Sequence, residues 1–238
     1  MYENIQPLLF RSLSGDISAC YNGNLVNAKG LKHQLESQGS IFQSNSDSEL
    51  LIHLIKRSTY LTLKDRFKNA LSMVKGAYSF LVMTENEMMV ALDPNGIKPL
   101  SLGKIGDAYV VASETCAFDI IGAEYVREVR PGELMTISDD GLYSEQFATS
   151  PGRSICSMEY IYFSRPDSNL AQINVHTARK NLGKQLAEES PAEADVVTGV
   201  PDSSISAAIG FAEASGIPYE LGLIKNRYVG RTFIQPSQ

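Results

Sequence analysis

Apolar and polar positions divide the chain into a sequence of short elements. Residues 17–21 (Ile-Ser-Ala-Cys-Tyr) read as a strand that stops at a turn on Asn22-Gly23. Asn27 stands where a helix cap is favoured, and Leu31 and Leu35 share one face of the helix expected after it. Ser46 and Glu49 have capping-box spacing just before Leu50, Leu51, Ile52, Leu54 and Ile55, so a second helix starts there and ends near Arg57-Ser58. A third is expected over residues 63–73, with Gly76 after its end. From residue 77 the pattern turns to β, with candidate strands at 77–83, 88–91, 100–102 and 109–112. Asp93-Pro94-Asn95-Gly96 is a turn signal between two of them. Pro131-Gly132 marks another hairpin, leading into 133–137, and Asp139-Asp140-Gly141 closes the next turn.

The composition shifts at Thr149-Ser150-Pro151-Gly152-Arg153, which places a domain boundary there and gives domains 1–150 and 151–238. Beyond it, 159–163 reads as a strand and 176–189 as a helix. A βαβ pattern follows: strand 195–198, helix 203–214, Gly216 at the helix end, strand 219–224. The fold class is therefore α+β followed by α/β. Neither internal repeats nor low-complexity stretches interrupt this reading.

Charge narrows the function classes. With 21 cationic and 27 acidic side chains the formal charge is −6. That argues against broad nucleic-acid binding, which needs a net basic face. Cys20, Cys116 and Cys156 are far apart and odd in number, so a disulfide scaffold is not expected and a reducing cytoplasm is the simplest setting. No apolar run approaches the roughly 18 residues of a membrane span.

Several motifs carry candidate chemistry. Asn22-Gly23 satisfies a hairpin turn. An Asn amide and a bare Gly N–H can also converge on one oxygen, and such donors stabilise an oxyanion by about 3–4 kcal/mol each. Asp47 satisfies a first-turn acidic residue favoured by the helix dipole, or a carboxylate that receives the α-amino group of an amino acid. Spacing does not choose between these. Residues 199–204 (Gly-Val-Pro-Asp-Ser-Ser) fit a plain βα loop in which Ser203 or Asp202 caps the helix, or an anion site at the helix N-terminus. Residues 225–233 carry three cations in seven residues, which suits a solvated loop or a loop that closes over a pyrophosphate.

Tyr21-Asn22-Gly23-Asn24-Leu25-Val26-Asn27 with Ser46-Asp47-Ser48-Glu49 resembles the N-terminal-nucleophile amidotransferases. Asp93-Pro94-Asn95-Gly96-Ile97-Lys98-Pro99-Leu100 and Ala112-Ser113-Glu114-Thr115 continue the likeness. Residues 156–168, 176–181, 200–203 and 225–233 extend it, in order, to the amidophosphoribosyltransferase family. The resemblance implies an N-terminal-nucleophile (class II) glutaminase-type αββα domain, then the first part of a type I phosphoribosyltransferase domain. It implies a glycosyltransferase that makes phosphoribosylamine from glutamine and phosphoribosyl pyrophosphate, the first step of purine synthesis. By resemblance Asn22 and Gly23 form the oxyanion hole and Asp47 holds glutamine. Lys225, Arg227, Tyr228, Gly230 and Arg231 belong to the phosphoribosyl pyrophosphate loop, and Ser203 is the Mg²⁺-associated hydroxyl. Cys156 matches one of four cysteines that hold a [4Fe–4S] cluster in one branch of the family. Purine nucleotide inhibitors and a homotetramer are implied as partners.

The departures concern what the chain does not carry. The family nucleophile is a cysteine at the mature N-terminus, whereas Met1-Tyr2-Glu3-Asn4 resembles an internal stretch past it. The glutamine-binding arginine, the paired acidic residues with their Gly-Thr-rich loop, and the other three cluster cysteines do not appear. Tyr21 replaces a histidine common in relatives, and Lys98 a frequent arginine. The chain as written is therefore expected to be the middle of such an enzyme and not to hydrolyse glutamine. The alternative is a non-catalytic remnant that binds nucleotide or phosphate, or that assembles with intact subunits.

Overall fold

A computed structural model describes residues 4–13 and 15–228. They form two compact units divided between Cys156 and Ser157. The first unit extends past the Pro151-Gly152 stretch because the Ser154 N–H donates to the Asn95 carbonyl (2.7 Å) and the Cys156 N–H to the Ile97 carbonyl (3.0 Å).

In chain order the first unit contains β1 (Leu8–Phe10), β2 (Ile17–Leu25), α1 (Ala28–Ser37), α2 (Asp47–Arg57), α3 (Leu63–Met73), β3 (Gly76–Met83) and β4 (Glu87–Leu92). There follow β5 (Ser101–Ile105), β6 (Ala108–Ala112), α4 (Cys116–Ile121), β7 (Glu124–Glu128), β8 (Glu133–Ser138) and β9 (Gly141–Gln146). Six strands make one antiparallel sheet in the order β1-β2-β3-β4-β8-β9, and three make a second in the order β6-β5-β7.

Side-chain alternation in the central strands builds the layers. Successive strand residues face opposite sides. Tyr78, Phe80 and Val82 of β3, with Met89 and Ala91 of β4, pack under Leu51, Ile55, Phe67 and Leu71 of the helices. The intervening Val90 and Leu92 face the other way and meet Leu102 of the second sheet and Leu100 and Val129 at the ends of its strands. Each fully buried Leu, Ile or Phe among these contributes about 1.5–3 kcal/mol. Outside the second sheet, Gly103 leaves room for the Phe118 ring of α4, which a Cβ would meet at 3.0 Å. Helices, sheet, sheet and helix thus stack in the αββα order.

Several expectations change. Asn22-Gly23 is no hairpin turn: β2 runs through it, with Asn22 opposite Ser79 and Gly23 opposite Tyr78. Gly23 takes φ +148, and a Cβ there would overlap the Ala77 carbonyl oxygen, so residue-for-residue pairing with β3 requires glycine. Pro131-Gly132 is not a hairpin either. It carries the chain from β7 in one sheet to β8 in the other, and Asp93–Gly96 makes the reverse crossing from β4 to β5. Asn27 precedes α1 without capping it. Its side chain instead accepts from the Lys75 N–H (2.8 Å) and donates to the Met73 carbonyl (2.9 Å), fastening the α3–β3 junction. α2 starts where expected, but the capping box is not closed. Ser46 Oγ accepts from the Ser48 N–H, while Glu49 turns back to the Gln43 and Ser44 N–H groups.

The second unit holds a π-helical turn over Glu159–Phe163, β10 (Asn169–Leu170), β11 (Ile173–Asn174), α5 (Val175–Glu189) and α6 (Ile205–Ser215). The strand expected at 159–163 is therefore helical. The buried Arg179 reaches from α5 and donates to the Tyr160 and Ser164 carbonyls, at 2.5 and 2.8 Å. Of the two strands expected at 195–198 and 219–224, one parallel bridge forms, Val197 to Tyr219, with α6 between them. α5 and α6 pack backbone to backbone. A Cβ on Gly183 would strike the Ala207 carbonyl, and one on Gly210 the Lys180 carbonyl. Among the described residues no helix is long and apolar enough to cross a membrane.

Candidate functional site

One edge of β2 gathers the residues singled out in the first unit. β1 pairs with β2 only from Ile17 to Ala19, so Tyr21 to Leu25 lie beyond its end. In an antiparallel ladder, alternate residues of a strand direct their N–H and C=O groups to opposite neighbours. The Tyr21, Gly23 and Leu25 N–H groups therefore point to one side. The Tyr21 and Leu25 bonds show that this is the side away from β3.

Two of those three donors are occupied. Gln6 continues the β1 register opposite Tyr21, and its side chain replaces a strand. Its Oε1 accepts from the Tyr21 N–H (2.5 Å) and its Nε2 donates to the Tyr21 carbonyl (3.0 Å). Asp47 Oδ2 accepts from the Leu25 N–H (3.3 Å) and from the Tyr21 hydroxyl (3.0 Å). The Gly23 N–H lies between these two caps. The structure thus brings Asp47 and Gly23 to one edge, where the sequence only placed them on separate elements.

Asn22 is positioned differently. Pairing puts Tyr21 on the face toward the helices with Phe80, where the two rings stack with centroids 4.7 Å apart. The Asn22 side chain leaves on the opposite face and is exposed. Among the described residues no hydrogen bond joins the Asn22 side chain to Asp47. Cys20 shares the Asn22 face, and burial pushes its thiol above the usual range. That disfavours the thiolate a nucleophile requires.

Electrostatics fix the start of α2. Glu49 is buried, which works against its charge. Bonds from the Ser44 hydroxyl (2.6 Å), the Gln43 N–H (2.7 Å) and the Ser44 N–H (2.6 Å), with His53 at 3.7 Å, outweigh that and hold its carboxyl below the ordinary range. The loop before Asp47 is thereby pinned to the helix that carries Asp47. Burial, the Asp47 charge and the hydrogen bond to it raise the Tyr21 phenol, which stays a donor.

Sequence reading missed Gln6, Tyr21 and Glu49 as parts of this arrangement. The register of β1 on β2 points to Gln6, but only once β1 is recognised. Nothing in spacing pairs Tyr21 with Asp47, 26 positions later.

In the second unit, Ser203 lies in the turn before α6, half-buried. Neither it nor Asp202 caps the helix: Ser204 is the N-cap, and its hydroxyl donates to the Val200 carbonyl (2.6 Å). Lys225 Nζ stands 3.4 Å from Asp202 Oδ2, so the basic segment meets this turn. Arg227 and Tyr228 are exposed. Gly230 and Arg231 lie outside the described residues. Cys156 is half-buried. The described residues contain no group of three His, Cys, Asp or Glu side chains able to hold a metal ion.

Two clefts elsewhere in the first unit do not include Asn22, Gly23 or Asp47. One, of about 310 Å³, lies among α1, α2 and α3. The other, of about 520 Å³, lies between Lys56 and Arg66 and the β3–β4 turn.

Comparison with known proteins adds an independent line. Residues 1–119 match the profile of a glutamine amidotransferase domain. The chain is 74% identical over 238 residues to the amidophosphoribosyltransferase of Bacillus subtilis (strain 168), covering 100% of this chain and 50% of that protein. It is 51% identical over 237 residues to the Staphylococcus aureus (strain MRSA252) amidophosphoribosyltransferase, covering 99% of this chain and 48% of that one. A solved structure of glutamine phosphoribosylpyrophosphate amidotransferase from B. subtilis, complexed with ADP and GMP, superposes with a TM-score of 0.94 at 73% identity. That match covers 100% of this chain and 52% of the other. The chain therefore spans about half the length of the curated relatives it matches.

Proposed function

The chain belongs to the glutamine amidotransferase domain family, and from that premise we propose that its first unit carries the glutamine site, and its second part of the phosphoribosyl pyrophosphate site, of an amidophosphoribosyltransferase. The reaction is the glutamine-dependent formation of phosphoribosylamine from phosphoribosyl pyrophosphate, which opens purine synthesis in the cytoplasm. The observation that carries this reading is the edge of β2. Asp47 offers a carboxylate at the edge of β2 away from β3, the side to which alternation directs the Gly23 N–H.

In this reading the substrate's α-ammonium group meets Asp47 Oδ1, since Oδ2 already accepts two bonds. The amide carbonyl lies at Gly23, whose N–H donates to the oxyanion that develops on attack. The Asn22 amide, which leaves β2 on the face opposite Tyr21, is the second donor in this reading. Each donor contributes about 3–4 kcal/mol to the transition state. Covalent amide cleavage also needs a nucleophile, and Cys20, with its raised thiol and no terminal amine, is not assigned that role.

For the second unit, Lys225, Arg227, Tyr228, Gly230 and Arg231 are proposed to cover the pyrophosphate, with Lys225 exchanging Asp202 for a phosphate oxygen. Mg²⁺ is commonly held through substrate phosphates with few protein ligands. Ser203, in the turn that Lys225 meets, suits such a place; the ion would neutralise charge on the leaving pyrophosphate. A [4Fe–4S] cluster takes four thiolates, and Cys156 is proposed as one of them in a longer protein of the length its relatives have. The ADP and GMP of the related structure support regulation by purine nucleotides, and a homotetramer is the assembly proposed.

Calorimetric titration of the chain with L-glutamine tests the first unit. Saturable binding that Asp47→Asn weakens by at least tenfold is expected; no binding, or an unaffected Asp47→Asn, overturns the glutamine assignment. Titration with phosphoribosyl pyrophosphate and Mg²⁺, compared with Lys225→Ala, tests the second unit in the same way.

A further inference from the structure

We infer that Tyr21 is a positioning residue for the α-amino group of the substrate, acting through Asp47; the inference rests on the assignment of Asp47 made above. Asp47 is the first residue of α2, where a carboxylate ordinarily turns toward solvent or the helix N-terminus. Here it leans onto β2 instead. The Tyr21 hydroxyl (3.0 Å) and the Leu25 N–H (3.3 Å) both donate to Oδ2. Two donors on one oxygen fix the plane of the carboxylate and leave Oδ1 as the acceptor for an incoming ammonium.

Tyr21 is itself held on every side. Its ring stacks on Phe80, which has no exposed surface. Its N–H and carbonyl are both taken by the Gln6 amide. The Ser48 hydroxyl, on the same turn of α2 as Asp47, reaches Gln6 Oε1 at 3.5 Å. The hydroxyl that orients Asp47 is therefore anchored to a strand and a ring rather than to a mobile loop. A side chain with the same ring but no hydroxyl keeps the stacking and lets the carboxylate rotate. The Tyr21 hydroxyl is a neutral donor and Asp47 supplies the charge, so removing the hydroxyl changes the carboxylate's orientation and not its charge.

The test is calorimetry on the 238-residue chain with two probes, L-glutamine and glutaramate, which has the same amide and carboxylate but no amino group. Tyr21→Phe is expected to weaken L-glutamine by about 3–10-fold, the worth of one hydrogen bond to a retained partner, and to leave glutaramate unchanged. Tyr21→His, whose ring N–H can also donate to a carboxylate, is expected to recover part of the loss. Tyr21→Phe binding L-glutamine as the wild type does, while Asp47→Asn weakens it, overturns the role of Tyr21 and leaves that of Asp47 standing. An equal loss for both probes makes Tyr21 merely structural and overturns the inference as well. Should Asp47→Asn bind L-glutamine normally, the assignment of Asp47 itself falls.

Discussion

Arg127 grips Glu133 with both terminal guanidinium nitrogens, Nη1 to Oε2 at 2.8 Å and Nη2 to Oε1 at 2.7 Å. Arg127 belongs to β7 of the three-stranded sheet and Glu133 to β8 of the six-stranded one, so this fork ties the two sheets together. Glu133 is buried, and its remaining acceptor capacity goes to the Arg130 N–H (2.6 Å) and the Ser144 hydroxyl. Arg127→Met leaves that carboxylate without its counter-charge. We expect a loss of about 3 kcal/mol, the low end for a broken buried pair because Arg127 keeps some contact with solvent. A urea denaturation midpoint measures it, and the double variant Arg127→Met/Glu133→Leu is expected to recover most of the loss.

Stability is expected to fall with acid before net charge alone would demand it. Burial opposes the charge of both Glu133 and Glu49. The Arg127 bonds in one case, and those from Ser44, Gln43 and His53 in the other, still hold both carboxyls below the ordinary range. The native state then binds fewer protons than the unfolded chain. The contribution is complete above the unfolded value of about 4.3 and is lost as pH falls through the depressed native values. Thermal melts from pH 7 to pH 3 are expected to be flat at first and to drop below about pH 4.3. Glu49→Gln starts from a lower melting temperature and shows a shallower drop.

The α5–α6 crossing is predicted to fail on adding one methyl group. In Gly183→Ala or Gly210→Ala the new Cβ meets main chain that cannot turn aside, as a side chain could. Overpacking of this kind costs about 1–3 kcal/mol. Limited proteolysis reads the effect, because cleavage is expected to accelerate beyond residue 157 while the first unit stays protected.

Asn27→Ala removes an acceptor from the Lys75 N–H and a donor from the Met73 carbonyl at once. With two bonds at about 1 kcal/mol each, a loss of about 2 kcal/mol is expected. Hydrogen exchange localises it: protection at the Lys75 amide is expected to fall first, before that of β4.

Much of the first unit was legible because its elements are local. α3 spans the residues its apolar spacing marked, and α2 begins behind Ser46 as its cap and leucine-rich run require. β3, β4, β5, β6 and β8 follow their β-rich runs to within a few residues, whereas β7 had no such signal. The illegible parts depend on partners far along the chain. Asn22-Gly23 carries the commonest hairpin signal, yet it lies inside a strand because β3 pairs across it. Residues 159–163 have a strand's composition, yet they form a π-helical turn, and a buried arginine from α5 holds the Tyr160 and Ser164 carbonyls.

The candidate site divides in the same way. The sequence by itself determined the residue types: an amide and a bare N–H in one short run, and a carboxylate at a helix start. Only the tertiary structure decided which of them share an edge. β1 pairs no further than residue 19 of its partner strand, Gln6 takes the place opposite Tyr21 two positions on, and Asp47 swings onto Tyr21 and Leu25. A backbone N–H has a direction only once its strand has neighbours, and no pattern of side chains encodes that direction.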